Sequence, residues 1–436
     1  MEMLKRSKMV PITVKGCASW ACYPSAGDKA ATAALEQLPR IEHLTLTARG
    51  FPKVKELLSS LSGAAPLLHT FHITLEDYSL DMPALPENIF SGPGGAPQLR
   101  CLSLTGCNAN WKSEFLRSLT HLTVARLSTG CRLSVDELIT NLGNMPQLEN
   151  IHLCSVMAPP EHNSSSSPST HLPVIARIHL EEKLMGCLAF FTTLTYPNTT
   201  IVSIKCCRED YHTDNIAPGS VRALISTISA KNIVPITSLC VENLCRGMFQ
   251  GQDSQGIRRI FIEFQDISFQ SSSISWDSLT LHHLKSLRVA GIYIPWSVWL
   301  GLFGKLKTLK TIFITDHANE FLDVLSRGDP AMVHATPASS PVKLKFTALK
   351  SLSLSGMDER ELPWVEKLAL CLRERRKRGL NLRRLCIEGF GDGADVVCQL
   401  GSPIKHVKWR EIDDSEEETS DEEDEEEDLS DSDYSY

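Results

Sequence analysis

Fourteen histidines and fourteen cysteines are the side chains of this 436-residue chain best suited to hold a metal or attack a substrate. Neither type is arranged locally for that work. The chain contains no HExxH, no CxxC and no GxSxG, so the spacings that build zinc centres or a nucleophile elbow are missing. His152 and His179 hold equivalent places in two consecutive copies of a short apolar frame. If those frames are neighbouring strands, the two imidazoles lie about 4.8 Å apart. A zinc centre needs a third and usually a fourth ligand, and Glu181 is near. The reading adopted is the plain one, polar residues on a solvated sheet face, and no metal ligand is assigned. His43, His72, His121 and His406 receive the same reading.

Three further constellations invite chemistry. Gly389–Ala394 (GFGDGA) follows a strand-like run, with Glu411 and Asp413 about twenty residues on. That imitates a dinucleotide fingerprint, but it also fits a turn from a strand into a helix, and no cofactor is expected. The adjacent Cys206 and Cys207 sit at a strand end, where one faces the core and its neighbour the surface. The run Arg373-Glu374-Arg375-Arg376-Lys377-Arg378 fits a nuclear-import or nucleic-acid patch. It is read here as the solvated end of a helix, where cations suit the dipole. No aromatic interleaving accompanies it, so nucleic acid is not an expected partner.

Charge is divided unevenly. Lys and Arg total 44 and Asp and Glu 52, a net charge of −8. Residues 411–436 hold 16 of the acidic groups and no basic ones, which leaves the preceding body at +8. Such a tail repels itself and buries almost nothing, so it is expected to be disordered. Ser415, Thr419, Ser420 and Ser430 each precede an acidic residue by three places, which suits an acid-directed kinase. The N-terminus lacks a secretory h-region. The apolar stretch Ala290–Gly304 is too short to span a bilayer and holds Pro295. Irregular cysteine spacing points to reduced thiols, hence a cytoplasmic or nuclear protein with its sequons at Asn163 and Asn198 unused. Apolar residues at 42% and charged residues at 22% are enough for a core and exclude wholesale disorder.

The elements that would position these groups repeat. One frame recurs: apolar, two residues, apolar, one residue, apolar. It reads IEHLTL from Ile41, LHTFHI from Leu68, LRCLSL from Leu99, LTHLTV from Leu119, LENIHL from Leu148, IARIHL from Ile175 and IVSIKC from Ile201. It continues as ITSLCV from Ile236, IRRIFI from Ile257, LKSLRV from Leu284, LKTIFI from Leu309, LKSLSL from Leu349, LRRLCI from Leu382 and IKHVKW from Ile404. Successive starts lie 20 to 40 residues apart. The last two apolar positions share one side of a strand. One short strand cannot bury that side alone, but a parallel stack can. Several spacers have helical signals: the capping box Ser134–Glu137 before Leu138, Ile139 and Leu142; Val54, Leu57, Leu58 and Leu61; Val221, Leu224, Ile225 and Ile228 behind Pro218-Gly219-Ser220; and Val365, Leu368 and Leu372 ending at Gly379. The expected fold is an α/β solenoid with a curved parallel sheet and irregular repeats.

The frames resemble those of leucine-rich-repeat proteins. The fullest match is LRCLSLTGCN, Leu99–Asn108, with Cys107 at the family's Cys position after Leu99, Leu102 and Leu104. Arg49, Val156, Met357 and Phe390 stand at that position in other frames. LKRSKMVPITV from Leu4, EQLPRIEHLTL, MPQLENIHL and WVEKLALCLRERRKRGLNLRRLCIEGF are similar to the region following the F-box in a class of fungal, basidiomycete-type F-box proteins. The resemblance covers roughly residues 4–410. It implies substrate recognition for a cullin-type ubiquitin ligase. The F-box itself is expected to be absent from this chain, because only three residues precede Leu4, and no adaptor-docking residue is carried over.

The expected organisation is an N-terminal lead-in at 1–40 that covers the first strand edge, a repeat body at 41–410 with inserts at 158–171 and 327–342, and the tail at 411–436. The expected function is non-catalytic protein recognition by a monomer, with no membrane contact. The third and fifth frame positions face the concave side. The binding candidates are Thr45, His72, Ser103, Thr123, His152, His179, Lys205, Phe261, Arg288 and Phe313. The two phenylalanines are apolar aromatics at solvent-facing places, the usual anchors of an interface. A ligase adaptor is a further partner if an F-box lies upstream. The alternative is a scaffold or regulatory protein modulated by its acidic tail.

Overall fold

The computed structural model describes residues 10–18, 33–48, 58–75, 84–159, 169–207, 218–232, 234–244, 246–265, 274, 276–327, 345–358, 363–390, 394–401 and 406–411. Ser415, Thr419, Ser420 and Ser430 lie outside the described residues, as do most of the inserts 158–171 and 327–342 and the middle of GFGDGA. The fold is mixed α/β with an open, mostly parallel sheet. The chain divides into two compact units, Met1–Thr311 with Lys345–Ala348, and Ile312–Leu344 with Leu349–Tyr436.

In the first unit, eight strands pair in parallel, each with the next: β1 (Ile12–Ala18), β2 (Ile41–Ala48), β3 (Thr70–Leu75), β4 (Cys101–Thr105), β5 (His121–Ala125), β6 (Asn150–Cys154), β8 (Arg177–Lys183) and β10 (Ile201–Cys207). The short β7 (Thr170–His171) and β9 (Leu194–Thr195) form a separate parallel pair. Each frame supplies a strand because its fourth and sixth positions alternate with polar ones. Leu102, Leu122, Ile151, Ile178 and Val202 face one another in register, as do Leu104, Val124, Leu153, Leu180 and Ile204. All ten are buried, and each such side chain contributes about 1.5–3 kcal/mol.

The chain order then reverses, against the expected sequential stacking. β11 (Ser238–Asn243), β12 (Gly247–Gln252) and β13 (Arg258–Phe264) form an antiparallel meander. β13 is the strand that pairs with β10, and β11 pairs with β14 (Ser286–Ala290), both in parallel. The frame misses β12, GMFQGQ, because two of its three buried positions, Gly247 and Gly251, are glycines. Gly251 packs closely there: a Cβ would meet Ile236 Cδ1 at 2.9 Å, so that side chain would have to shift. The turn after β12 is built by Asp253, whose carboxylate accepts the N–H groups of Gln255 at 2.8 Å and Ile257 at 3.0 Å, and Arg259 Nε at 2.7 Å.

A second regularity follows the strands. The eighth frame position takes a left-handed backbone at Gly106 (φ 69°), Arg126 (59°), Ser155 (53°) and Gly291 (62°). The chain thereby turns off the strand and buries the next residue: Cys107, Leu127, Val156 and Ile292 are all at most 4% exposed. The Val156 side chain has no polar group to satisfy its turn. Glu182, on the core side of β8 and 4% exposed, does so instead. Its Oε1 accepts the Met157 N–H at 3.0 Å and also that of Val156.

Helices return the chain between strands. α1 (Val135–Gly143) begins at the expected capping box: Ser134 Oγ accepts the Glu137 N–H at 3.2 Å, and Glu137 Oε2 accepts the Ser134 N–H at 2.9 Å. α2 (Leu184–Thr193) buries Leu184, Cys187, Phe190 and Phe191. Its C-terminal carbonyls are met by Lys231 at the end of α3 (Pro218–Lys231), whose Nζ donates to Leu194 O at 2.7 Å and to Phe191 O. α4 (Trp296–Gly301) follows β14 and buries Trp299 and Leu300.

The second unit carries β15 (Thr311–Thr315) from Ile312 on, β16 (Ser351–Asp358), β17 (Arg384–Phe390) and β18 (Val407–Glu411) in chain order. The pairs β16–β17 and β17–β18 are parallel. The left-handed eighth position recurs at Asp316 (61°) and Gly356 (73°). α5 (Ala318–Arg327) and α6 (Pro363–Lys377) pack together, with Cys371 Sγ donating to Leu325 O at 3.3 Å and Lys367 paired with Asp323. α6 ends as expected at Gly379 (φ 77°), where the Leu380 N–H donates back to Arg375 O at 2.9 Å. Its basic run is not wholly solvated: Arg375 is 1% exposed, because residue 375 stands one turn from Cys371 and Leu372 on the buried stripe. α7 (Ala394–Gly401) completes the unit. Gly389 and Phe390 of GFGDGA belong to β17, and Ala394 opens α7. Among the described residues, no helix is long and apolar enough to cross a membrane.

Candidate protein-binding face

The alternation that buries one side of each strand leaves the other half-exposed. Across the first unit the strand registers join nine fifth frame positions, with Ser203 and Gln250, into one continuous row. It runs Thr45, His72, Ser103, Thr123, His152, His179, Ser203, Phe261, Gln250, Cys240 and Arg288. Thr45, His72, Ser103, Thr123, His152, His179 and Phe261 are intermediate in exposure, and Arg288 is exposed. In the second unit, Phe313 on β15 is 38% exposed.

Lys205 does not belong to this row. It pairs with Glu181, and Ser203 is the residue level with His179. The frame at Ile201 is displaced by two residues, because the strand itself begins there. A two-residue slip keeps Lys205 on the same face but moves it one step along the strand. It enters a second row with Cys154, Glu181, Glu263, Met248 and Glu242. Of the acidic members of that row, the sequence alone places only Glu181, near His179. Only the meander register brings Glu242 and Glu263 into line with it.

The charges of the face are paired. Arg288 Nε meets Glu242 Oε1 at 2.6 Å, Arg246 Nη1 meets Glu263 Oε1 at 3.0 Å, and Lys205 Nζ lies 3.7 Å from Glu181 Oε2. Phe261 is stacked under the Arg258 guanidinium, 4.6 Å from ring centroid to Cζ. Burial lowers the His72 pKa, and neighbouring His43 lowers it further. Burial pushes the Cys240 thiol up to about 12, with its hydrogen bond to Glu242 adding to the shift. A thiol so protonated is not a nucleophile at neutral pH. Cys206 is buried and Cys207 half-buried on opposite sides of β10, and both are free thiols.

At the centre of the face, His152 and His179 lie edge to face with ring centroids 4.4 Å apart. His179 Nε2 donates to Glu181 Oε1 at 3.1 Å, and Ser203 Oγ donates to His179 Nδ1 at 3.1 Å. Cys154 Sγ donates to Glu181 Oε2 at 3.5 Å. Burial opposes ionisation of Glu181, but the His179 hydrogen bond and Lys205 outweigh it and hold the carboxyl below its usual range. The face thus offers small hydroxyls at its β2–β5 end, a compact His–Glu–Lys cluster at β6–β10, and stacked or paired aromatic and charged groups from β11 to β14. No family model matches the chain, and no curated protein sequence matches it.

Proposed function

We propose that this chain is a leucine-rich-repeat-like α/β solenoid whose half-exposed sheet face binds a protein without catalysis. The observation that carries the reading is the unbroken row of eleven side chains, nine of them at fifth frame positions, set about 4.8 Å apart on hydrogen-bonded strands. Such a row offers many separately variable groups on a rigid support, which suits an extended protein surface better than a small substrate. Its binding candidates are Thr45, His72, Ser103, Thr123, His152, His179, Phe261 and Arg288, with Lys205 one step along the strand and Phe313 in the second unit. Taken with the fungal F-box resemblance, the bound protein is a substrate for ubiquitination, and the face is the recognition part of a cullin-type ligase. Localisation is then cytoplasmic or nuclear.

Affinity purification of the full chain tests the ligase reading. Recovery of the cullin-ligase adaptor together with a bound protein, with the latter lost in Phe261→Ala or Phe313→Ala at unchanged melting temperature, is the expected result. A chain that recovers neither, or whose bound protein is indifferent to both substitutions, refutes it. The second reading, a scaffold without a ligase link, draws on the 16 acidic groups in 411–436 beside a body of +8. It expects deletion of 411–436 to change partner binding without changing the melting temperature, and no adaptor to be recovered.

A further inference from the structure

Two imidazoles and a carboxylate converge on β6 and β8. His152, His179 and Glu181 each bring one donor atom to within 4.8 Å of the other two. His152 Nε2 is buried and has no hydrogen-bond partner. A buried nitrogen without a partner costs free energy unless something else satisfies it. The separation of 3.1 Å between His179 Nε2 and Glu181 Oε1 fits two ligands on one ion, given metal–ligand bonds of about 2.0–2.2 Å at a roughly tetrahedral angle.

We propose that His152, His179 and Glu181 form a binding site for a zinc-class divalent transition metal, with the fourth coordination position open toward the half-exposed face. Imidazole and carboxylate are donors that zinc, nickel and copper accept. The surroundings already support this use. Ser203 Oγ, 3.1 Å from His179 Nδ1, is both a donor and an acceptor. When Nε2 takes the metal, the imidazole proton moves to Nδ1 and the Nδ1–H donates to Ser203, so the ring stays neutral and oriented. Glu181 Oε1 turns from the imidazole N–H to the ion, while Oε2 keeps Lys205 at 3.7 Å and Cys154 Sγ at 3.5 Å. The ion would tie two adjacent strands together on the face opposite the core.

The test uses the full chain with any affinity tag removed, stripped with a chelator and kept in a non-chelating reductant. Zinc chloride is titrated by calorimetry and by thermal melting, and Co²⁺ is then added as a spectroscopic probe. One equivalent is expected to bind, raise the melting temperature, and give the visible absorption of four-coordinate Co²⁺. His179→Gln and Glu181→Gln should each weaken zinc binding tenfold or more. His282→Ala/His283→Ala, which removes a second close histidine pair (centroids 4.3 Å apart), should leave it unchanged. Absence of binding to the wild-type chain, binding that survives both ligand substitutions, or loss in the His282/His283 variant overturns the proposal. If His179→Gln does not fold, Glu181→Gln decides, since it exchanges one oxygen for an amide and keeps the shape.

Discussion

Replacing Glu182 with alanine tests how a buried turn without a polar side chain of its own is held. The carboxylate, 4% exposed, accepts the backbone N–H groups of Val156 and Met157. Alanine leaves both donors in a buried turn. Each unsatisfied group costs about 1–3 kcal/mol, so the gross loss is about 2–6 kcal/mol. Removing a carboxylate that was itself expensive to bury returns part of that, and a net loss of about 2–3 kcal/mol is expected. Glutamine keeps the accepting oxygen and should cost about 1 kcal/mol or less. The pH dependence adds a second reading. Burial raises the Glu182 pKa above its ordinary 4.5, more than the Val156 and Met157 N–H groups and Arg132 lower it. The folded state therefore holds this proton longer than the unfolded one. The contribution is fully present below pH 4.5 and declines as pH rises through the folded pKa. Glu182→Gln should remove that decline. Urea unfolding across this pH range, with hydrogen exchange at Val156 and Met157, measures both effects. Glu182→Ala within about 0.5 kcal/mol of wild type, or a pH slope in Glu182→Gln unchanged from wild type, refutes the reasoning.

Three more outcomes follow from the same geometry. Gly106→Ala should cost clearly more than Gly256→Ala. Both have positive φ (69° and 77°), worth about 1–2 kcal/mol for a side chain, but at Gly106 the new Cβ also meets Leu75 O at 2.9 Å, whereas at Gly256 nothing lies within 4 Å; equal losses in thermal melts would refute the close approach. Burial opposes ionisation of Asp253, but Arg259 and the N–H groups of Gln255 and Ile257 outweigh it and hold the pKa below its ordinary 3.8. Its stabilisation is thus present above pH 3.8 and lost as pH falls through the folded pKa, so Asp253→Asn should flatten the acid limb of the stability profile, measured by urea unfolding between neutral and acid pH. Lys205→Met removes the cation 3.7 Å from Glu181 and should tighten zinc binding in the calorimeter, more at low salt than at high salt; weaker binding would contradict the ligand set.

Strand positions could be read from the chain because they depend on a period of two within six residues. A fourth and a sixth apolar position, with polar neighbours, can be buried only by an extended segment, and all fourteen frames contribute strands. The capping box at Ser134 and the glycine end at Gly379 were equally local. Side chains that share a face, such as His152 and His179, followed from the same alternation. What needed tertiary structure was everything set by which strand lies beside which. The reversal of β11–β13 is chosen by hairpin pairing and packing, so Gln250 could not be placed on the face, nor Glu242 and Glu263 in one row with Lys205, beforehand. The step that moved Lys205 out of the His179 row is a matter of register between two chain segments. Helix α2 went unread because it follows β8 without a break and is apolar on too many sides to display a stripe. The left-handed eighth position is carried by Gly, Arg, Ser and Asp alike, since a turn enforced on both sides by packed strands tolerates strain that no local preference would select. Glu182 is the sharpest case: a charged residue on the buried side of a strand reads locally as a misfit, and only the two backbone N–H groups brought to it from residues 156 and 157 explain its position.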